Sequence, residues 1–320
     1  MIDFRYHVVS IIAVFLALAL GLFVGSTSLQ DAVVHTISTK ADSVKRANDA
    51  LTSKVNTLQS EVNADEKFDK AVLPYAVSGR LSGQLVSIIS APGTSDSMRK
   101  QVIAAVNAAG GTLSSDVRLQ SVITDPKQDA FLSALAERVS IPGHPATDGA
   151  DGAQRAAQQL ATVLGVRPAS HAIPPGTIDT VLSAYSTGRL LNLGSDVATH
   201  RPGTLAIVLT GPAPAPTADP AVVKAQQDFV LDLARDLDET ALGAVLAAPR
   251  PASGTTTPDM TQAAASVAGF TDKVSTVSGV DTPAGQIATV FALAAQADGT
   301  AGRYGPQSQL SPLPASSVAP

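Results

Sequence analysis

The sequence predicts a mixed α/β protein with three parts: a single N-terminal transmembrane helix, a parallel dimeric coiled-coil stalk and a mainly parallel-sheet α/β domain. Three observations predict it. An uncharged apolar run fills residues 8–25, an unbroken heptad pattern follows it, and short apolar runs then alternate with amphipathic stretches. We place the membrane anchor at residues 1–29, the coiled coil at 30–66, the extracytoplasmic α/β domain at 75–305 and a flexible tail at 306–320.

The apolar run VVSIIAVFLALALGLFVG at residues 8–25 contains no charged side chain. As a helix rising ~1.5 Å per residue it covers about 27 Å, close to the ~30 Å hydrocarbon core of a bilayer. A cleavable signal peptide is the alternative, although its apolar region is usually ~7 to 15 residues long. Arg5 and the α-amine precede the run, and the next basic residue is Lys40. This bias favours a cytoplasmic N-terminus and an extracytoplasmic remainder.

Two further groups of residues belong to the anchor. Small side chains recur every four residues along one stripe of the helix, which predicts a self-associating face, although such spacing also arises by chance in apolar segments. These residues are Ala13, Ala17, Gly21 and Gly25. Arg5, Tyr6 and His7 precede the run, and we expect them to fix the depth of the anchor at the membrane interface rather than to bind a metal.

A heptad pattern follows the anchor, with alternating steps of three and four residues and mostly polar positions between. Its seam is Val34, Ile37, Ala41, Val44, Asn48, Leu51, Val55, Leu58 and Val62. Asn48 falls at the central a position, where it can pair across a parallel homodimer and fix the register. Two alternatives remain open: Asn48 faces water and interrupts the seam, or the whole segment is an amphipathic helix folded back on its own domain.

The α/β domain is predicted from runs that suit βαβ units. Predicted strands lie at residues 85–90, 112–119, 204–209, 243–248 and 274–277, and predicted helices at 96–109, 128–139, 154–164, 177–191, 221–237 and 283–297. Such units favour a parallel sheet with right-handed crossovers. The loop residues Thr94, Ser95 and Asp96 are a candidate crevice site, because loops after parallel strands line ligand crevices. They are also ordinary helix N-cap residues.

Composition and motifs exclude several classes of function. The balance of 22 basic and 27 acidic residues lacks the positive field of a nucleic-acid-binding protein, so no nucleic acid is expected as a partner. No phosphate loop, dinucleotide fingerprint, nucleophile elbow or zinc-binding helix motif occurs, so no enzymatic activity is expected, although an α/β enzyme remains a third option. With no cysteine, no thiolate metal site can form.

No residues can be assigned as metal ligands, and no cofactor is evident from the residues alone. Copper prefers Cys, Met or His donors, and no two of the His or Met residues stand at ligand spacing. The residues concerned are His7, His35, His144, His171, His200, Met1, Met98 and Met260.

Two segments resemble the MctB-type copper transport proteins of mycobacteria and other actinobacteria. They are DFRYHVVSIIAVFLALALGLFVGS at residues 3–26 and VDTPAGQIATVFALAAQADGTAGRYG at residues 280–305. The resemblance implies a role in copper efflux and homeostasis, with copper as a candidate ligand and an outer-envelope location as a further expectation. It supplies no ligand motif that maps onto this sequence.

Two functions are therefore expected. The first, implied by the resemblance, is copper transport and homeostasis by a membrane-anchored cell-envelope protein. The alternative is a non-enzymatic dimeric scaffold whose coiled coil regulates an envelope protein partner in cell-wall metabolism or cell separation.

Overall fold

The computed structural model describes residues 4–168, 173–252, 257–306 and 311–314, and the side chains of residues 26–36 and 38 lie outside this description. The chain divides into two compact units, Met1–Asp65 and Glu66–Pro320.

One continuous helix, α1 (Phe4–Val77), includes the whole of the predicted anchor run and coiled-coil segment. Its length is consistent with its composition, because Gly21 and Gly25 are its only glycines and no proline precedes Pro74. Pro74 lies in the last turn, where it lacks the N–H of a helical hydrogen bond, and Gly79 follows with φ +75°. Within the described chain, Phe4–Gly25 is the one helical segment long and apolar enough to cross a membrane.

The second unit contains a seven-stranded sheet of order β3-β2-β1-β4-β5-β6-β7. Every neighbouring pair is parallel except β2 with β3. The prediction of a mainly parallel sheet is confirmed. The strands are β1 (Leu85–Ser90), β2 (Thr112–Leu119), β3 (Leu191–Leu193), β4 (Leu205–Leu209), β5 (Gly243–Ala248), β6 (Ser275–Ser278) and β7 (Arg303–Tyr304).

Helices cover both faces of this sheet. They are α2 (Asp96–Ala108), α3 (Asp129–Arg138), α4 (Gly152–Leu164), α5 (Pro175–Thr187), α6 (Pro220–Thr240), α7 (Met260–Ser266) and α8 (Pro283–Ala297). Residues of α2, α8 and the end of α1 form one apolar core against the sheet. Residues of α3, α4, α5, α6 and α7 form the other core. Consecutive residues of a strand point to opposite faces, so Ile88 enters the first of these cores and Ile89 the second.

The observed elements differ from the predicted ones at β3. The helix predicted at 177–191 ends at Thr187, because Arg189 adopts φ 59° and Leu190 N donates to Tyr185 O at 3.0 Å, which turns the chain out of the helix. Leu191–Leu193 then pairs antiparallel with β2. Leu191 was predicted as the last residue of that helix, and no strand was predicted at Leu191–Leu193. The helix α7 and the strand β7 were not predicted either.

The last described residues return to the sheet edge. Ser311 bridges Tyr304 of β7, and Gly305 N donates to Ser311 O at 3.1 Å. Ser311 falls within the predicted tail of residues 306–320, of which residues 307–310 and 315–320 lie outside the described residues.

Candidate functional site

The predicted membrane residues lie on the first turns of α1. Arg5, Tyr6 and His7 are exposed, as are the first three residues of the small-residue stripe, and Gly25 is half-buried. The stripe consists of Ala13, Ala17, Gly21 and Gly25.

The predicted coiled-coil seam lies farther along α1. Its large apolar side chains are between 43% and 68% exposed in the single chain: Ile37, Val44, Leu51, Val55, Leu58 and Val62. Ala41 and Asn48 are exposed as well, and the side chain of Val34 lies outside the described residues.

The candidate crevice loop lies between the end of β1 and the start of α2. Its hydroxyl groups bond within the fold: Thr94 Oγ1 donates to Leu209 O at 3.1 Å, and Ser95 Oγ accepts from Met98 N at 3.3 Å as the N-cap of α2. Asp96 is different, because its side chain is 69% exposed and faces two guanidinium groups. Of the three predicted loop residues, Asp96 is therefore the one oriented toward a charged site.

A buried ion-pair cluster lies beside this loop, on the face of the sheet that α2 covers. Asp116, in the middle of β2, is fully buried and accepts a hydrogen bond from Arg99 of α2. Arg99 Nη1 also donates to Asp196 Oδ2 at 3.1 Å. Asp96 Oδ1 lies 3.6 Å from Arg99 Nε and 3.7 Å from Arg118 Nη1. The arrangement joins α2, β2 and the loop after β3 through one guanidinium group.

Burial and neighbouring charges shift the pKa values of Asp116 and Arg99 in opposite directions. Burial raises the pKa of Asp116 above its ordinary value, while the Arg99 and Arg118 guanidinium groups partly offset this. Burial alone would lower the pKa of Arg99, but the Asp196 and Asp116 carboxylates outweigh it and raise that pKa. Arg99 therefore remains charged and is the closest cation to Asp116. Removing Arg99 would leave the Asp116 carboxylate in the core without this partner.

A glycine lies against the same carboxylate, and the charge of that carboxylate acts on His200. A Cβ atom at Gly194 would collide with the Asp116 carboxylate, and Gly194 N donates to Asp116 O at 2.8 Å. His200 is half-buried, and its Nδ1 has no hydrogen-bond partner within the described part of the chain. Burial lowers the pKa of His200, against the opposing effect of Asp116 and Asp179. The imidazole is therefore held toward its neutral form.

This cluster was not predicted from the sequence. One signal was available, because Asp116 is a charged residue in the middle of a predicted strand, and a charged residue that is buried in a parallel sheet requires a partner. The partners could not be chosen from the sequence, since Arg99, Arg118 and Asp196 come together only through the pairing of β2 with β3 and the packing of α2.

The residues with copper-binding donors are dispersed. Within the residues that the structure describes, no group of three or more His, Asp or Glu side chains is placed to hold a metal ion. His144 is exposed, with Nδ1 3.3 Å from Pro142 O. Met98 is buried in the core beneath α2, and Met260 is half-buried at the start of α7. His171 lies outside the described residues.

Comparison with known proteins assigns the family. A family model described as "Copper transport outer membrane protein, MctB" matches residues 1–314. The chain is also 29% identical over 301 residues to proteins named "Copper transporter MctB" from Mycobacterium bovis and Mycobacterium tuberculosis, with 92% of each chain covered. The match includes both the apolar start of α1 and the segment from the end of β6 to β7 that carried the resemblance in the sequence. This chain belongs to the MctB family.

Proposed function

We propose that the protein takes part in copper transport, with copper as its cargo, and that it does so without catalysing a reaction. One observation carries the proposal: the MctB family model covers residues 1–314, which is nearly the whole chain. The relatives named as copper transporters match over 92% of both chains, so the likeness is not confined to the apolar helix. The comparisons give no support to the alternative of an envelope scaffold that regulates a cell-wall partner.

The proposal includes a membrane anchor at the start of α1. In support, apolar side chains from Val8 to Val24 are 39% to 70% exposed in the described chain, a distribution that suits lipid on all sides. We place the N-terminus in the cytoplasm and the α/β unit outside it, because Arg5 precedes the apolar segment and the next basic residue is Lys40. The family description names the outer membrane instead, and an anchor located there would not have its N-terminus in the cytoplasm.

A parallel homodimer through residues 34–62 also belongs to the proposal. In support, the six large apolar seam residues of α1 remain at least 43% exposed in a single chain. A soluble helix with such a row of exposed residues gains stability by burying it against a partner. A second copy of α1 is the matching partner, since the heptad spacing is continuous and Asn48 can pair with its own counterpart.

Copper content of cells tests the proposal. Deleting the gene should raise cellular copper and copper sensitivity, and the wild-type gene should restore both. An unchanged copper content after deletion would contradict the copper role.

A pair of variants tests the anchor separately. Leu16→Arg with Leu20→Arg should fail to restore copper content, because an arginine at the centre of a membrane helix costs ~2.5 to 3.5 kcal/mol. Leu16→Val with Leu20→Val is the matched control and should restore it. If the arginine variant also restores copper content while fractionating with the membrane, the apolar helix is not the membrane span, and the copper role still stands.

A further inference from the structure

A cavity of about 280 Å³ lies at the carboxyl ends of β1 and β2, beside the first turn of α2. Its lining includes Ser90, Asp96, Arg99 and Arg118. Carboxyl ends of parallel strands are where α/β proteins bind ligands, and this volume lies near the lower limit of ~300 to 1,000 Å³ for ligand pockets. The cavity is therefore the right size for a molecule of a few carbon atoms.

Three buried polar atoms in the cavity wall lack a hydrogen-bond partner within the described chain. They are Ser90 Oγ, Arg99 Nε and Arg118 Nε. Ser90 and Arg99 are each only 4% exposed, so solvent does not readily satisfy them. Buried polar groups are almost always hydrogen-bonded, and three unpartnered donors on one cavity point to a missing acceptor.

An acidic side chain of the protein already lies close to these donors. Asp96 Oδ1 is 3.6 Å from Arg99 Nε and 3.7 Å from Arg118 Nη1, too far for a hydrogen bond to either. The Asp96 side chain is 69% exposed and is free to move away. A carboxylate thus fits between the two guanidinium groups, but the Asp96 carboxylate lies too far from both to form hydrogen bonds with them.

We propose that this cavity binds the carboxylate group of a small organic acid, which displaces Asp96 and accepts hydrogen bonds from Arg99, Arg118 and Ser90. Guanidinium groups bind carboxylates with charge-assisted hydrogen bonds, and the N-terminus of α2 adds a partial positive charge. A single negative charge is favoured over two, because Arg99 is already paired with Asp116 and Asp196. Arg118, by contrast, forms one ion pair within the described chain, and its partner is the exposed Asp96. Arg118 is therefore the cation available to a ligand.

Thermal stability of the full-length protein in mild detergent measures the binding. Sodium acetate and sodium lactate are the probes, with sodium chloride at equal ionic strength as the reference. A bound ligand should raise the melting temperature in a saturable manner, from which a Kd follows. No saturable rise with either acid up to 100 millimolar, in the wild type and in Asp96→Asn, would overturn the proposal.

Substitutions around the cavity test which side chains bind the carboxylate. Asp96→Asn should tighten binding about threefold to tenfold by removing the competing carboxylate, and Arg118→Gln should weaken it at least tenfold. Asp298→Asn, an exposed carboxylate outside the cavity lining, is the matched control and should leave the Kd unchanged.

Two further outcomes would also overturn the assignment. One is equal tightening in Asp298→Asn and Asp96→Asn, which would indicate an effect of net charge alone. The other is tighter binding of inorganic phosphate than of either organic acid, which would assign the cavity to a phosphate group. Neither outcome bears on copper content in cells, so this inference and the proposed function fail separately.

Discussion

Replacing Arg99 with methionine should reveal what the buried Asp116 carboxylate costs. The Arg99 side chain is 5% exposed and that of Asp116 is fully buried, so water replaces little of the lost interaction. Methionine retains most of the apolar stem, which limits the loss of packing. Asp116 Oδ1 already has no hydrogen-bond partner in the described chain, and Oδ2 would lose its partner as well. In the variant, Asp116 is expected to take up a proton rather than remain charged in the core.

Proton uptake by Asp116 sets an upper limit on the free energy of unfolding that Arg99→Met can remove. At pH 7 the solution is roughly three pH units above the ordinary pKa of an aspartate, about 4. Protonating the carboxylate costs about 1.4 kcal/mol of free energy for each of these units. The limit is therefore about 4 kcal/mol at pH 7 and about 1.4 kcal/mol at pH 5. Because burial already raises the pKa of Asp116 in the wild type, part of this cost is present before the substitution. We expect a destabilisation of about 2 to 4 kcal/mol at pH 7 and about 1 kcal/mol at pH 5.

Pulse proteolysis in urea measures this free energy of unfolding on full-length protein in mild detergent at both pH values. Lys224→Met is the matched control, because Lys224 and Asp228 form a 2.7 Å ion pair with side chains 74% and 54% exposed. It should cost no more than about 1 kcal/mol, equally at pH 5 and pH 7. If Arg99→Met destabilises the protein by the same amount at both pH values, the buried charge is not the cause and the reasoning is refuted.

Three other predictions concern separate parts of the molecule. Burial raises the pKa of Asp236 to about 7, aided by Asp232, so the folded state holds a proton that the unfolded state loses above about pH 4. The contribution of Asp236 to stability should fall as the pH rises from 4 to 7. Asp236→Asn should therefore weaken the pH dependence of stability in urea titrations and gain about 2 kcal/mol at pH 8, after allowance for partial exposure. Asn48→Val should raise the stability of the dimer and loosen the choice of oligomer in sedimentation, whereas no change in either would count against a buried Asn48. Gly194→Ala should destabilise the protein by about 2 to 4 kcal/mol, since its Cβ would collide with the Asp116 carboxylate, and a cost under 0.5 kcal/mol would contradict this close approach.

The strands with continuous apolar runs were predictable from the sequence. Leu85–Ser90 and Gly243–Ala248 have the predicted bounds, because strands buried on both faces are apolar nearly throughout. Thr112–Leu119 also has the predicted bounds, although its sequence TLSSDVRL is mostly polar. Pro283–Ala297 also has the predicted bounds, with Pro283 at its first turn and Thr282 as its N-cap. These features depend on residues adjacent in sequence, which is why local patterns suffice.

The short edge strands and the ion-pair cluster depend on contacts between distant residues. Leu191–Leu193 has only three residues and directly follows a helical pattern, so its sequence does not predict a strand. Pairing with β2 stabilises the extended conformation. Arg99 pairs with Asp116 and with Asp196, which is 97 residues away along the chain. The position of Asp96 near the helix start was predictable, whereas the guanidinium groups that it faces were not.

The rate of copper efflux tests the central claim most directly. Cells lacking the gene and cells carrying the wild-type gene would be loaded with copper, washed, and followed by elemental mass spectrometry of the medium, with zinc release as the control. Membership of the MctB family predicts slower copper release without the gene and unchanged zinc release. Equal copper release rates in the two strains would contradict a role for this protein in copper transport.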